Sequence, residues 1–167
     1  MRIGILLLYV LTLSVFLGCK VTKPDTNRYP EEKLDWKLGA QSYTFNRFTF
    51  IEALDKISAC GLSYVEAYPS QEIGGGIKEK MNYQMSESNK EYLKDLLKKK
   101  KIRLISYGVI LVKDINEWRK IFAFAKSMGI KTITCEPDER MLDELSKLCD
   151  EFKINIAIHN HPYPSNY

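Results

Sequence analysis

The feature that most constrains this chain is a regular alternation, from residue 38 onward, between short strand-like apolar runs and segments whose apolar residues recur with the period of a helix. Five short runs are typical of strands, because they are rich in Ile, Val and aromatic residues, and the four segments between them carry apolar residues at helical spacing. The strand-like runs are 38–45, 63–69, 102–111, 131–137 and 154–162. Strands that alternate with helices at a spacing of roughly 25–35 residues predict βαβ units and a parallel sheet.

The boundaries of two helices are marked by polar residues. Thr49 and Glu52 have the spacing of a capping box, and so do Ser88 and Glu91. Between these helices, residues 70–85 contain three consecutive glycines and no clear period. We therefore expect helices that begin after Thr49 and after Ser88, and a long flexible loop over 70–85.

Two architectures fit the alternation, an open doubly wound sheet and part of an eight-fold barrel. Open dinucleotide-binding sheets usually carry a glycine fingerprint at the first strand-to-helix turn. Here that turn reads SYTFNRFTF and contains no glycine. The glycines at 74–76 follow the second strand and lack the lysine of a phosphate-binding loop. The pattern therefore favours the barrel.

The first 35 residues differ from the rest of the chain. Residues 1–18 begin with a basic residue and continue with an apolar run that is too short to span a membrane, which is typical of a signal peptide. The ending Leu-Gly-Cys resembles a bacterial lipoprotein signal, in which Cys19 is lipidated; the alternative is a plain signal peptide with a chance cysteine. Residues 19–35 are polar and predict a tether to a domain at 36–167. We expect a lipid-anchored protein of the bacterial cell envelope.

Composition excludes some classes of function. The chain has 25 Lys and Arg against 21 Asp and Glu, without the concentrated basic face that nucleic-acid binding requires. The densest basic run, 98–101, stands at an expected helix end, where cations offset the helix dipole, and this explains it better than a phosphate-binding patch. Apart from Cys19, three cysteines without paired spacing predict buried thiols rather than a metal knuckle or a disulfide framework.

Polar side chains stand at the carboxyl end of every predicted strand, where parallel α/β folds gather their chemistry. They are Gln41, Tyr43, Glu66, Tyr68, Ser106, Tyr107, Glu136, His159, Asn160 and His161. His159 and His161, the only two histidines, are two residues apart and should point to the same side of a strand. With Glu136 from the neighbouring strand they suit a divalent metal such as Zn²⁺ or Mn²⁺; the alternative is a structural role for one histidine.

Taken together, the five runs resemble the xylose-isomerase-like barrel superfamily, the group of sugar phosphate isomerases and epimerases. The resemblance extends from about residue 36 to the end and is carried by WKLGAQSYTF, YVEAYP, ISYGVIL, TITCEP and IAIHNHP. It implies an α/β fold, a parallel (β/α) barrel of the TIM-barrel type, with only the first four βα units and the fifth strand present. It also implies a divalent metal (Mn, Zn or Mg) and a sugar or sugar-derived molecule over the strand ends.

The resemblance implies roles for individual residues. Glu136, His159 and His161 match strand-end positions where the family binds metal or substrate, and they are expected to supply the metal ligands, with either histidine as the ligand. Glu136 and His159 are also expected to be catalytic by moving a proton on the sugar. The residues expected to bind the substrate are Gln41, Tyr43, Glu66 and Tyr107.

The resemblance also implies that three βα units and their metal ligands are missing. We therefore expect an incomplete fragment that binds metal weakly and shows no isomerase turnover by itself. Two unpaired sheet edges would favour self-association. The alternative function is that of a non-catalytic sugar-binding or interaction lipoprotein.

Overall fold

The computed structural model of the protein describes residues 33–162. The chain divides into two compact units, Met1–Trp36 and Lys37–Tyr167, and every strand and α-helix of the described residues lies in the second unit. The predicted signal peptide, Cys19 and the tether up to residue 32 lie outside the described residues. Between residues 33 and 162, no helix combines the length and the apolar character that crossing a membrane requires.

The second unit contains a parallel sheet, four α-helices and a small hairpin. Its strands are β1 (Gly39–Gln41), β2 (Tyr64–Ala67), β3 (Glu72–Gly74), β4 (Ile77–Lys80), β5 (Arg103–Ile110), β6 (Thr132–Cys135) and β7 (Asn155–Ile158). Its α-helices are α1 (Phe50–Ala59), α2 (Glu87–Lys100), α3 (Ile115–Met128) and α4 (Leu142–Phe152), and two short 3-10 helices span Ser42–Phe45 and Glu139–Met141.

The main sheet has the strand order β1-β2-β5-β6-β7, and every neighbouring pair is parallel. Each connection between neighbours contains a helix, as parallel pairing requires. The order follows the chain without the reversal that creates the switch point of a doubly wound sheet. The predicted parallel α/β architecture is therefore confirmed, and the strands follow one another as they do in a barrel wall.

The two faces of the sheet differ in chemistry. Val65 and Ile133 point to one face and are completely buried among the apolar side chains of the helices. Glu66 and Thr134, the next residues along β2 and β6, lie on the other face and are half-buried. The helices contribute their apolar stripes to the first face, including Phe50, Leu54, Ile57, Leu93, Trp118, Phe122 and Leu145. Polar side chains are thus concentrated on the face that the helices do not cover.

Capping explains where α1 begins, and it corrects the predicted start of α2. The Thr49 hydroxyl accepts a hydrogen bond from the Glu52 amide, and the Glu52 carboxylate accepts one from the Thr49 amide, as predicted for a capping box. The second predicted capping box is wrong, because α2 begins at Glu87 and contains Ser88. The Glu79 carboxylate accepts a hydrogen bond from the Ser86 amide (2.8 Å), so a contact from β4 sets this helix start.

The predicted flexible loop over 70–85 is also wrong, because β3 and β4 form an antiparallel hairpin there. Gly75 and Gly76 connect the strands with φ angles of 61° and 86°, which glycine adopts without the strain that other residues suffer. Ile73 is completely buried and attaches the hairpin to the core. A Cβ atom on Gly74 would lie 2.4 Å from the Thr49 hydroxyl oxygen, so the hairpin packs tightly against the N-terminus of α1.

The cysteines provide a test of this packing. The prediction of buried thiols is wrong for Cys60, which is exposed at the end of α1, and right for Cys135 in the core, where burial raises the pKa of the thiol to about 12. The thiolate is the reactive form, so we expect iodoacetamide at pH 8 to alkylate Cys60 at least tenfold faster than Cys135. Peptide mass spectrometry of briefly treated protein measures both sites. Urea-unfolded protein, in which both thiols are solvated, is the control, and equal rates in the folded chain would contradict the described core.

Candidate metal centre and polar cleft

Three potential metal ligands lie at the carboxyl ends of β6 and β7. Glu136 directly follows β6, and its amide donates a hydrogen bond to the carbonyl of Ile110, the last residue of β5 (3.0 Å). His159 directly follows β7, and its amide donates to the carbonyl of Cys135 (2.9 Å). These bonds continue the parallel pairing by one residue beyond the strand ends. They hold the backbones of Glu136 and His159 side by side.

The side chains of this group converge. The Nε2 atom of His161 lies 2.7 Å from the Oε1 atom of Glu136, and the Nε2 atom of His159 lies 4.0 Å from the same oxygen. The two imidazole rings meet edge to face with centroids 4.9 Å apart. The Glu136 side chain is 15% exposed and both imidazoles are more than 40% exposed. The structure therefore brings one carboxylate and two imidazoles together at a place that solvent reaches.

The histidines reach this position differently from the way the sequence suggested. The fifth strand was expected to extend over 154–162 and to direct both rings by its alternation. Instead β7 ends at Ile158, and His159 and His161 lie in the segment that follows it. The convergence depends on the path of this segment and on the Glu136–His161 contact rather than on strand geometry.

This donor set fits a divalent metal. One ligand atom from each of Glu136, His159 and His161 lies within 4.8 Å of the others. Three protein ligands with a remaining open position are typical of catalytic zinc sites. Imidazole nitrogens suit Zn²⁺ and carboxylates suit Mn²⁺, while Mg²⁺ prefers oxygen ligands, so the mixed set favours the first two metals. The role of the three residues as ligands stays a prediction.

A second polar group surrounds Glu66 on the uncovered face of the sheet. The Gln41 amide nitrogen donates to Glu66 Oε1 (2.5 Å), and the Thr134 hydroxyl donates to Glu66 Oε2 (2.9 Å). The Ser106 hydroxyl lies 3.2 Å from that of Thr134 and extends the chain of contacts. Both carboxylate oxygens of Glu66 are thereby oriented by neighbouring strands. These four side chains are called the Glu66 network.

The Glu66 network and one histidine of the metal centre share a cleft. A cleft of about 450 Å³ is lined by all four members of the network and by His159. Gly108 makes room for this arrangement, because a Cβ atom there would lie 2.2 Å from the Thr134 carbonyl oxygen. The carbonyl of Gly108 also accepts a hydrogen bond from Gln41 (3.3 Å). The cleft is large enough for a small polar ligand between the network and His159.

Two other predicted substrate-binding residues lie elsewhere. Tyr43 belongs to the 3-10 helix after β1, is 55% exposed, and meets the ring of Tyr68 edge to face at 5.1 Å. Tyr107 is only 2% exposed; its ring packs on Phe124, and its hydroxyl donates to the carbonyl of Met81 (3.1 Å). Burial raises the pKa of the Tyr107 hydroxyl far above its usual range. Tyr107 thus faces the helices, and this geometry gives no support to its predicted contact with a sugar.

Sequence reasoning missed Thr134 as a member of the site. Thr134 lies two residues before Glu136, so period-two alternation places both side chains on the same face of β6 and its extension. The same spacing relates Ser106 to Gly108 on β5. Counting backwards in steps of two from the polar strand ends would have found Thr134.

The comparisons with known proteins show similarity to solved structures only. No protein-family model and no curated protein matches the chain. An uncharacterized protein from Parabacteroides distasonis is 38% identical, with a TM-score of 0.74, over 77% of this chain and 54% of that one. A sugar phosphate isomerase/epimerase from the same organism is 14% identical, with a TM-score of 0.53, over 75% of this chain and 51% of that one.

A further structure, of a D-psicose 3-epimerase in the presence of D-fructose, is 11% identical, with a TM-score of 0.55. This match covers 78% of the present chain and 55% of the epimerase. At these low identities the two named enzymes show the fold alone, and they are TIM barrels. The chain spans about half the length of each of these solved structures.

The Glu66 network can be tested by removing one hydroxyl. Thr134→Val keeps the shape of the side chain and removes the donor to the Glu66 carboxylate, so we expect a loss of about 1 kcal/mol in the free energy of unfolding. Thr132→Val is the matched control, because Thr132 lies on the same face of β6 outside the network. Urea denaturation measures both variants. Equal stability of the two would mean that the hydrogen bond to Glu66 contributes nothing.

Proposed function

We propose that this chain has the function of a divalent-metal-dependent sugar isomerase or epimerase, whether it acts alone or as part of a longer protein. The observation that carries the proposal is the convergence of Glu136, His159 and His161 at the carboxyl ends of adjacent parallel strands. In barrels of this type that end of the sheet is where active sites lie. The fold shared with a sugar phosphate isomerase/epimerase and a D-psicose 3-epimerase supports a sugar as the substrate class.

The position of each residue in the site suggests its role in the proposed reaction. A bound metal would act as a Lewis acid toward a carbonyl or hydroxyl oxygen of the sugar. Glu66, oriented by Gln41 and Thr134, presents a carboxylate that accepts hydrogen bonds from sugar hydroxyls in the shared cleft. His159 lines the same cleft, where it would either hold the metal beside the sugar or, with the metal on Glu136 and His161 alone, move the proton of the reacting carbon.

Metal binding is the first test of the proposal. We expect isothermal titration calorimetry of the full chain with Zn²⁺ or Mn²⁺ to show one site, because the three donors converge once among the described residues. Glu136→Gln and His161→Ala each remove a donor and should weaken binding at least tenfold. Glu139→Gln is the matched control, since Glu139 is an exposed carboxylate three residues from Glu136. Unchanged affinity in both site variants would exclude this metal centre.

A non-catalytic sugar-binding function is the second candidate, and the exposure of the Tyr43 ring favours it. An exposed aromatic ring can stack on the apolar face of a sugar without any chemistry. Incubation with ¹³C-labelled D-fructose and Mn²⁺, followed by NMR, distinguishes the two candidates. Conversion to an epimer that disappears in Glu136→Gln supports the enzyme. Binding without conversion that is weakened by Tyr43→Ala and unchanged by Glu136→Gln supports the second function, whereas binding that Glu136→Gln weakens supports the metal site of an incomplete enzyme.

The anchoring and assembly of the chain are further proposals from the sequence. We propose that Cys19 is lipidated and holds the protein in the bacterial cell envelope; Cys19→Ala should then release the protein from the membrane fraction. We also propose that the outer edges of β1 and β7, which pair with no further strand between residues 33 and 162, allow self-association, since unpaired strand edges are templates for pairing. Gel filtration with light scattering that shows only monomer would exclude the second of these.

A further inference from the structure

A second cleft, of about 890 Å³, opens at the amino end of the parallel sheet and is lined by five cationic side chains. They are Lys37, Lys94, Lys98, Arg103 and Lys131. Glu66 is the one carboxylate of the described residues that also lines it. This cleft is called the cationic cleft.

The cationic cleft lies away from the candidate metal centre. Arg103 is the first residue of β5, and Ile110, whose carbonyl binds the Glu136 amide, is the last. At about 3.3 Å for each residue of a strand, the seven steps between them separate the two ends by roughly 20 Å. The cationic cleft shares Glu66 and other residues of the uncovered face with the cleft of the Glu66 network, but all of its cations except Lys37 line the cationic cleft alone. These cations therefore form a separate group, which the proposed function does not use.

The cations come from separate elements of the fold. Lys94 and Lys98 belong to α2, Arg103 begins β5, and Lys131 immediately precedes β6. Of the lining cations, only Lys98 lies in the last turn of a helix. The helix dipole accounts for a cation at that position but not for the gathering of the other cations around one cleft.

Arg103 is held in place by a group without charge. Its guanidinium donates to the Tyr64 hydroxyl (2.6 Å) and lies over the same ring, 4.9 Å from the centroid. A phenol does not neutralise the guanidinium, and the remaining N–H donors stay available for an anion. Lys94 differs, because it forms an ion pair with the exposed Glu91 (2.7 Å). Among residues 33–162, Lys98, Arg103 and Lys131 form no ion pair with a carboxylate, so these three are the cations considered as ligands of an anion.

The wall of the cationic cleft is apolar. Leu97, Ile102, Leu104 and Met128 line it and belong to the core, each less than 10% exposed. A ligand that fits such a cleft combines a negatively charged group with an apolar body. A purely polar anion would leave the exposed part of this wall in contact with water.

We propose that the cationic cleft binds a single amphipathic anion whose charged group is a phosphate. The phosphate lies among Lys98, Arg103 and Lys131, because its several oxygens accept hydrogen bonds from more than one cation and the guanidinium fork matches its geometry. The apolar part of the ligand packs on Leu97 and Met128. Such a ligand is either a phospholipid or a soluble phosphorylated compound with an apolar substituent.

The test uses three probes with the full chain in isothermal titration calorimetry. Dihexanoyl phosphatidic acid, below its micelle concentration, should bind. Dihexanoyl phosphatidylcholine has the same acyl chains without a net charge, and inorganic phosphate has the charge without the chains; each should bind at least tenfold more weakly. If inorganic phosphate binds as tightly as the lipid, the proposal of an amphipathic ligand is wrong. If the lipid does not bind, the proposal of a binding site in this cleft is wrong.

Paired variants separate a specific site from general attraction to a basic protein. Lys98→Gln with Lys131→Gln should weaken the binding of dihexanoyl phosphatidic acid at least tenfold. Lys113→Gln with Lys120→Gln removes the same charge from exposed positions outside the cleft and should change affinity less than twofold. Equal losses in both pairs would overturn the proposal.

Vesicles distinguish binding of one molecule from docking on a bilayer. Phosphatidylcholine vesicles with and without 30% phosphatidic acid are sedimented with the protein. A cleft that binds one lipid molecule should bind the monomeric lipid in calorimetry whether or not the protein sediments with the anionic vesicles. Sedimentation with the anionic vesicles in the absence of any monomer binding would replace the proposed site by a membrane-docking surface.

Discussion

The arrangement of the candidate site depends on the parallel pairing of β5, β6 and β7. The backbone hydrogen bonds between these strands fix the register of each strand relative to the next. Two of these hydrogen bonds lie just past the strand ends, at the amides of Glu136 and His159. If β7 were displaced by one residue, the backbone of His159 would no longer bind the carbonyl of Cys135 beside Glu136. Strand register therefore sets where the segment with both imidazoles begins, and the path of that segment completes the candidate metal centre.

The same sheet explains which parts of the fold the sequence could predict. The alternation of strand-like and helical periods, the first capping box and the buried faces of the helices follow from local patterns, and the structure confirms them. The position of Tyr107 did not follow. The strand predicted over 102–111 agrees with β5, but Tyr107 lies three residues before its end and points toward the helices rather than into the site. The face that a residue takes is settled by pairing with β2 and β6, which a local pattern does not contain.

The other failures have the same origin. The hairpin of β3 and β4 is short, and its strands are held by the burial of Ile73 rather than by a long alternating pattern. The start of α2 depends on the Glu79 carboxylate of β4, which lies seven residues before Ser86 and therefore outside the three-residue spacing of a capping box. At the site, the pairing of Glu136 with a histidine was predictable from the polar strand ends. The contacts around Glu66 were not predictable, although three of the four members were among the predicted polar strand ends, because the network joins four strands through side chains of ordinary types.

The close contact between Gly74 and Thr49 links the end of β3 to the N-cap of α1. Thr49 caps α1, and the space beside its hydroxyl is the space that any side chain at position 74 would need. A substitution at either position therefore alters the requirements at the other. Among relatives of this chain, the residues at these two positions should vary together rather than independently, and a hairpin transplanted without its helix cap would not fit.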